Sequence, residues 1–195
     1  MNKRILAGTS AAVAAAGAVA VAAYLRLRQP PVGNPKVPEP AKAVDLERYL
    51  GLWYELGRYE NQFERGAEAA TARYSLRPDG KIKVLNGCNL GSVDGPRKEA
   101  EGKAYPIAGS GNAKLKVSFF GPLYAGNYWV LDHAEDYSWS IVGEPSGRYL
   151  WLLSRSPHPA NEVRSAIEAR VKELGYDWSR VPSYPACRGR LLIAA

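Results

Sequence analysis

The sequence predicts an all-β protein: an eight-stranded antiparallel up-and-down barrel with one C-terminal α-helix packed outside, plus a hydrophobic helix at the N-terminus. Three observations predict this fold class. Eight short segments with strand character follow one another at regular spacing, turn residues separate them, and one stretch with helical period follows the last of them. The 14 prolines and 19 glycines among 195 residues suit the many turns of such a barrel.

The first strands are identified by the turn that joins two of them. Residues 51–59 and 69–76 have strand character, and Pro78-Asp79-Gly80 follows the second of these segments. Proline before Asp-Gly is typical of a tight turn, so residues 81–88 are predicted to pair back as a hairpin. The remaining strand candidates are 98–105, 114–119, 127–133, 137–143 and 149–154.

Alternation of polar and apolar residues predicts which side chains face the barrel interior. In segment 114–119 polar and apolar residues alternate, so one face is wet and the other is buried. The inward set on this reasoning is Ile82, Val84, Asn86, Leu115, Val117, Phe119, Tyr128, Val130, Tyr137, Trp139, Tyr149 and Trp151. For any single member core packing is the alternative, so the prediction of a ligand pocket concerns the set.

One amphipathic helix is predicted after Pro157. Apolar residues recur there at three- and four-residue steps, with charged residues between them. They are Val163, Ile167, Val171 and Leu174. Gly175 is expected to end this helix, and a lone helix after eight strands is expected to pack outside the barrel.

The N-terminal segment differs from the rest of the chain. Lys3 and Arg4 precede an uncharged stretch of 21 residues, 5–25, and Arg26 and Arg28 follow it. This is about the ~20 residues that a helix needs to cross a bilayer. Residues 1–28 are therefore predicted to be a cleaved secretory signal or an uncleaved anchor, and either one exports the rest of the chain.

The remaining domain boundaries follow from composition. Residues 29–43 hold five prolines and are predicted to form a semi-extended linker. The barrel domain is expected to span residues 44–187, and residues 188–195 form a C-terminal tail. The formal net charge of +7 is concentrated at the start, because residues 1–40 carry +4 of it. Without a basic run interleaved with aromatic residues, the sequence argues against a nucleic-acid partner.

The sequence also argues against an enzyme or a metal protein. It contains no Gly-x-Ser-x-Gly, no Walker loop and no His-Glu-x-x-His. Its two histidines, His133 and His158, do not stand at metal or catalytic spacing from either cysteine. Acidic pairs such as Glu99 and Glu101 lie in polar surroundings and are interpreted as solvated faces. We therefore expect no catalysis, no cofactor and no metal.

Three motifs in order resemble the lipocalin family. Gly51-Leu52-Trp53, after a short helical turn, is similar to the Gly-x-Trp signature that opens the first strand of lipocalins. Segment 131–133 stands where the second motif is expected and keeps only its Asp132. Segment 149–155 is similar to the third motif, which ends on Arg155. The stretches 51–66 and 113–122 most resemble the bacterial outer-membrane branch, whose relatives include apolipoprotein D.

The resemblance implies a function in ligand binding. Lipocalins bind small hydrophobic molecules, so we expect binding, storage or transport of a fatty acid or a lysophospholipid at the bacterial cell envelope, periplasmic or membrane-associated. The polar head is expected at the barrel mouth, near Glu55, Arg58, Tyr59 or Arg73. The protein is expected to be a monomer or a homodimer. The alternative is an envelope scaffold whose barrel is filled with side chains and whose surface binds a partner.

The resemblance also implies structural roles. Trp53 and Arg155 are expected to stack at the closed end of the barrel, with Gly51 and Asp132 as further motif residues. Bacterial relatives are typically lipoproteins, but this chain has no cysteine before Cys88, so residues 1–28, where they are retained, are expected to anchor the chain instead of a lipid. An even cysteine count in an exported chain suggests a disulfide, and a Cys88–Cys187 bond resembles one seen in many lipocalins. Two free thiols are the alternative.

Overall fold

The computed structural model describes residues 29–119 and 121–182, and eight of its strands form one closed antiparallel barrel. Each strand pairs with the next along the chain, and β8 pairs back with β1. The strands are β1 (Gly51–Arg58), β2 (Ala67–Leu76), β3 (Ile82–Leu90), β4 (Arg97–Pro106), β5 (Lys114–Ser118), β6 (Gly126–His133), β7 (Trp139–Gly143) and β8 (Leu150–Ser154). The predicted number and order of strands are confirmed.

Among the described residues, two α-helices and one 3₁₀ turn accompany the barrel. Helix α1 (Leu46–Tyr49) precedes β1, helix α2 (Asn161–Glu173) follows β8, and a 3₁₀ turn spans Trp178–Arg180. Asp45 caps α1, because its carboxylate accepts hydrogen bonds from two backbone amides of the first turn. None of the helices in the described part of the chain has the length and apolar character needed to cross a bilayer.

The two ends of the barrel carry different loops. The closed end carries α1 and the loops 77–81, 107–113 and 134–138. The open end carries the loops 59–66, 91–96, 119–125 and 144–149. These loop sets follow from the up-and-down topology, in which odd-numbered strands run from the closed end to the open end.

The apolar side chains form two clusters on opposite faces of the sheet. The inner cluster includes Trp53, Val84 and Val142, and lies inside the barrel. The outer cluster joins Ile167 and Val171 of α2 to the outward side chains of β6, β7 and β8. Helix α2 therefore packs outside the barrel, as its lone apolar stripe predicts.

Strand β7 begins two residues later than predicted. Tyr137 has φ +61, in the left-handed region, and belongs to the turn between β6 and β7. Because this turn breaks the alternation, Ser140 and Val142 face inward whereas Trp139 packs with the outer cluster. The inward orientation predicted for Trp139 is wrong for this reason.

A β-bulge in β1 places two polar residues inside the barrel. Glu55 pairs with Leu153, and Gly57 pairs with Leu152, so one extra residue stands in β1 between them. Arg58 then pairs with Trp151 and faces the interior, although simple alternation from Glu55 would turn it outward. The bulge thus brings Glu55 and Arg58, three residues apart, to the same inner face.

Residues 30–44 pack along the barrel and are called the strap below. At the open end, the amides of Gly33 and Asn34 both donate to the carbonyl of Gly147, at 2.8 and 3.0 Å. The side chain of Asn34 is buried and donates to Leu174 O at 2.8 Å. A Cβ atom on Gly33 would fall 2.0 Å from the ring of Tyr59, so only glycine allows this close approach.

The strap continues down to the closed end. Lys42 reaches the carbonyl of His133 at 3.0 Å, and the amide of Val44 donates to Gly111 O at 2.8 Å. Its prolines favour the extended backbone that the linker prediction assumed. The structure differs from a spacer between membrane and domain, because the polar groups of the strap find partners on the barrel and on the segment after α2.

Candidate ligand-binding site

The closed end of the barrel is sealed by Trp53 and Arg155. The indole of Trp53 is fully buried, and its Nε1 donates to Tyr49 O at 2.9 Å. The guanidinium carbon of Arg155 lies 3.7 Å from the centroid of this ring. Arg155 also donates to the carbonyls of Arg48, Leu50 and Leu52. Stacking and three carbonyl bonds hold α1 against the barrel and close it.

A layer of hydroxyl groups lies above this floor. Tyr128 Oη is 2.9 Å from Tyr49 Oη and 3.0 Å from Tyr74 Oη, and Tyr49 Oη is 3.0 Å from Ser140 Oγ. Burial raises the pKa of Tyr49 to about 12 and raises the pKa of Tyr74 and Tyr128 as well. The phenols therefore stay neutral and satisfy one another inside the barrel.

Two tyrosines of this layer were not predicted to face inward. Tyr49 lies on the short helix α1, where a strand-based pattern says nothing about its direction. Tyr74 lies on β2, where Thr71, Arg73 and Ser75 alternate with apolar residues. That alternation was a usable signal for an inward Tyr74, and it also places Arg73 on the exposed outer face.

Five of the side chains that were predicted to face inward lie in the lower interior. They belong to the inner cluster and are buried below or beside the hydroxyl layer. They are Ile82, Val84, Leu115, Val130 and Tyr137. The hydroxyl of Tyr137 accepts a hydrogen bond from the amide of Asp45 at 2.8 Å, so this residue belongs to the closed end. The lower interior is thus packed with side chains.

The upper interior has a different character. Ala72, Ala100 and Gly102, small residues on β2 and β4, share the inward face with the buried Ala104. Val117 and Trp151 belong to the inner cluster but are only partly buried. Since side chains inside a closed barrel reach solvent only through its mouth, the partial exposure of Val117 and Trp151 indicates a hollow at the open end.

Further predicted residues lie around this hollow. Phe119 approaches Gly102 so closely that a Cβ atom there would lie 2.8 Å from its ring. Tyr128, which belongs to the hydroxyl layer, is only partly buried. Tyr149 stacks on Trp151 with a centroid distance of 5.8 Å, at the start of β8. The amide oxygen of Asn86 is buried and has no hydrogen-bond partner among the described residues.

Glu55 and Arg58 form an ion pair on the inner face of β1. Arg58 Nη1 lies 2.6 Å from Glu55 Oε1, and the two side chains are 2% and 7% exposed. Arg58 Nη2 also donates to the carbonyls of Glu64 and Ala67, at 2.8 and 3.2 Å. The guanidinium thereby ties the loop 59–66 to the barrel mouth.

Burial changes the protonation of this pair. Desolvation, together with the nearby Glu64 carboxylate, raises the pKa of Glu55 to about 8, although Arg58 acts in the opposite direction. The Glu64 carboxylate itself accepts hydrogen bonds from Trp151 Nε1 at 2.8 Å and from Asn61 Nδ2 at 2.7 Å. The carboxyl of Glu55 therefore holds its proton to a higher pH than an exposed glutamate does, and Arg58 Nη2 also lies 3.6 Å from Glu60 Oε2.

Tyr59 does not join this polar group. It is fully buried outside the barrel, where its ring contacts Tyr176 and the guanidinium of Arg180. Its hydroxyl donates to Asp177 O at 3.0 Å. The expectation that Tyr59 or Arg73 faces the mouth is wrong, because the bulge in β1 shifts the inward position to Arg58 and Arg73 points to solvent.

Asp132 lies under helix α2, away from the hollow. Its carboxylate accepts from Arg170 Nε at 2.5 Å and lies 3.1 Å from Lys42 Nζ. Burial alone would raise the pKa of Asp132, but the bonds from Lys42, Arg170 and the amide of His133 outweigh it and lower the pKa. The residue therefore clamps the helix and the strap to β6.

The cysteine prediction finds no support. Cys88 is a free, partly buried cysteine in the structure, and Cys187 lies outside the described residues. Cys88 pairs with Lys98 in the regular part of β3, so it shares the inward face with Val84 and Asn86. Within the described part of the chain, no group of three or more potential metal-ligating side chains is assembled.

Comparison with known proteins matches this geometry. Residues 44–186 match the family model described as a lipocalin-like domain. The chain is 44% identical over 151 residues to the outer membrane lipoprotein Blc of Vibrio cholerae, covering 77% of this chain and 87% of that protein. Apolipoprotein D of Macaca fascicularis is 36% identical over 138 residues, covering 68% and 71% of the two chains. The solved structure of insecticyanin from the tobacco hornworm Manduca sexta has a TM-score of 0.64 at 21% identity, covering 80% of this chain and 90% of that one.

These matches agree with the sequence motifs and with the barrel. The family model covers well over half of the chain, and the Vibrio relative covers more than two thirds of it. The name of that relative, an outer membrane lipoprotein, agrees with the predicted export and membrane association. This chain belongs to the lipocalin family.

Proposed function

We propose that this chain binds, stores or transports a small hydrophobic ligand with a polar head, a fatty acid or a lysophospholipid, at the bacterial cell envelope. One observation carries the proposal: the inward residues Ala100, Val117 and Trp151 keep solvent exposure inside the barrel, which indicates a hollow at the open end. An apolar hollow that opens at one end suits a flexible acyl chain. The envelope location is supported by the name of the Vibrio relative.

The energetics of such a ligand follow from the two parts of the interior. Each methylene group that leaves water for the apolar hollow contributes about 0.8 kcal/mol. The polar head has two kinds of partner, the Glu55–Arg58 pair and the unpaired amide oxygen of Asn86. The guanidinium of Arg58 on the inner face suits an acidic head, and Asn86 accepts a hydrogen bond from a hydroxyl or an ammonium group.

The scaffold alternative requires a barrel filled with side chains. The lower interior fits that description, because Tyr49, Tyr74 and Tyr128 bond to one another there. The upper interior does not, since Val117 and Trp151 stay partly exposed on the inward face. This difference favours ligand binding over a purely structural barrel.

Ala100→Trp tests the proposal by filling the hollow. Ala100 faces inward and is exposed, so an indole there fits into the hollow without displacing packed side chains. The matched control is Glu99→Trp, on the outward face of the same strand. The affinity for a fluorescent fatty acid is expected to fall at least about tenfold in Ala100→Trp and to stay unchanged in Glu99→Trp. Equal, saturable binding by both variants, with intact β-rich circular dichroism, would refute an interior site.

A further inference from the structure

The rim of the open end exposes large apolar side chains. Among the described residues seven large hydrophobic side chains are exposed, and five of them lie at this end of the barrel. They are Val32, Phe63, Leu90, Phe119 and Leu123. Phe63 and Leu123 are each 75% exposed and stand on different loops, 59–66 and 119–125. A cluster of this kind around one end of a barrel marks a contact surface.

This rim is held in a defined shape. The loop that carries Phe63 is tied to the barrel by the bonds from Arg58 to Glu64 O and from Trp151 to the Glu64 carboxylate. The ring of Phe63 also lies 6.3 Å from that of Tyr149. The loop thus presents Phe63 outward while its neighbours are anchored, so its exposure is part of the fold.

The strap shows what lies beside the rim. Its first residues pack at the open end, where Arg148 Nη1 donates to Pro30 O at 2.5 Å and Gly33 bonds to Gly147. The uncharged stretch 5–25 therefore joins the folded domain at the mouth, not at the closed end. From Leu25 to Pro30 the extended chain reaches at most about 17 Å.

We propose that residues 5–25 are retained as the anchor and that the rim around Phe63 and Leu123 docks on the same lipid bilayer, so that the barrel mouth opens toward the membrane. The short connection to Pro30 keeps the rim at the bilayer surface, and the exposed apolar side chains insert into it. Arg65 and Lys98 accompany Glu60 and Asp94 at this end, so the charges are mixed and anionic lipid is not required. This inference concerns orientation and does not depend on the proposed ligand.

Quenching by brominated lipid tests the orientation on the full chain. The chain, its N-terminal mass verified, is reconstituted in phosphatidylcholine vesicles that contain brominated acyl chains. A probe is introduced by Phe63→Trp at the rim, and a matched probe by Leu76→Trp at the closed end, where Leu76 is 65% exposed. The emission of the unsubstituted chain is subtracted from that of each variant. The remaining emission of the rim probe is expected to be quenched several-fold more strongly than that of the closed-end probe.

Two outcomes would overturn the proposal. Equal or stronger quenching of the Leu76→Trp probe, in chain that floats with the vesicles, would mean that the mouth points away from the bilayer. Rim-probe quenching that disappears as the protein density in the vesicles rises would mean that a second copy of the chain covers the rim. Fatty-acid displacement measured on the same samples is independent, so its failure would count against the proposed function alone.

A loss-of-contact variant provides the complementary result. In a chain carrying the Leu90→Trp probe, Phe63→Ser with Leu123→Ser removes the two most exposed apolar side chains of the rim. Quenching of the Leu90→Trp probe is expected to fall several-fold in this variant and to stay unchanged with Leu76→Ser. Unchanged quenching in both variants would show that the connection to residues 5–25, and not the rim, sets the position.

Discussion

The buried ion pair of Glu55 and Arg58 predicts how stability depends on pH. The pKa of Glu55 is raised from 4.5 to about 8, with desolvation as the largest cause. Between these values the unfolded chain is ionised at this residue while the folded chain is protonated. The folded state then binds more protons, so the free energy of unfolding falls as the pH rises and this contribution is lost above about pH 8.

Glu55→Gln removes this titration, and the structure allows the size of the effect to be worked out. One pKa unit corresponds to about 1.4 kcal/mol, so the stability of the native chain relative to Glu55→Gln is expected to fall by about 3 to 4 kcal/mol between about pH 5 and pH 8, as an upper limit. Other titrating groups cancel in this difference as long as they are unaffected by the substitution.

Urea unfolding of both proteins across this pH range measures the difference. The matched control is Glu101→Gln, an exposed carboxylate on β4 whose pKa is lowered by Lys83, and its difference from the native chain is expected to stay flat over this range. A Glu55→Gln difference that is equally flat would refute the reasoning. It would mean that Glu55 is ionised throughout and that Arg58 outweighs the desolvation.

Three further predictions concern single residues. Arg155→Lys loses the planar stacking on Trp53 and at least two hydrogen bonds to carbonyls, so its free energy of unfolding in urea should fall by about 2 kcal/mol. The exposed Arg73→Lys should show no such loss. Equal losses in both variants would contradict the role of Arg155 in closing the barrel. Asn86→Leu removes a buried unpaired oxygen, so the free energy of unfolding should rise by about 1 kcal/mol. The affinity for a lipid with a hydroxyl or ammonium head should fall. Stronger binding of such a lipid would exclude Asn86 from recognition of the head. Asp132→Asn should lower stability at neutral pH by about 2 kcal/mol, and this difference should vanish as the pH falls through the lowered pKa of Asp132; a pH-independent difference would mean that its charge is not what clamps α2.

The sequence predicted the barrel well because its signals are local and repeated. Turn residues and two-residue alternation define the strands, and a change to helical period marks α2. The deviations arise at single backbone irregularities that no period reveals. The left-handed backbone of Tyr137 shifts the start of β7 and turns Trp139 outward. The bulge after Glu55 turns Arg58 inward.

The strap shows a second kind of limit. Its composition resembles that of a linker, and proline spacing carries no information about partners. What fixes it to the barrel is tertiary: the buried Asn34, which bonds to Leu174 O, and Gly33, which fits against the ring of Tyr59. The candidate site was predicted only in part. Asn86 and Val117 follow the alternation of their strands and were predicted, whereas the contacts of Glu64 depend on loop geometry and were not.

The hydroxyl layer of Tyr49, Tyr74 and Tyr128 sets a depth limit for any guest that enters from the open end. These rings are packed against one another and their hydroxyls are already satisfied, so a methyl terminus is expected to stop above them. The additional carbons of a longer tail therefore extend past the rim, where they are not buried. Affinity should accordingly rise with tail length and then level off, and the plateau would report the distance from Tyr128 to the mouth.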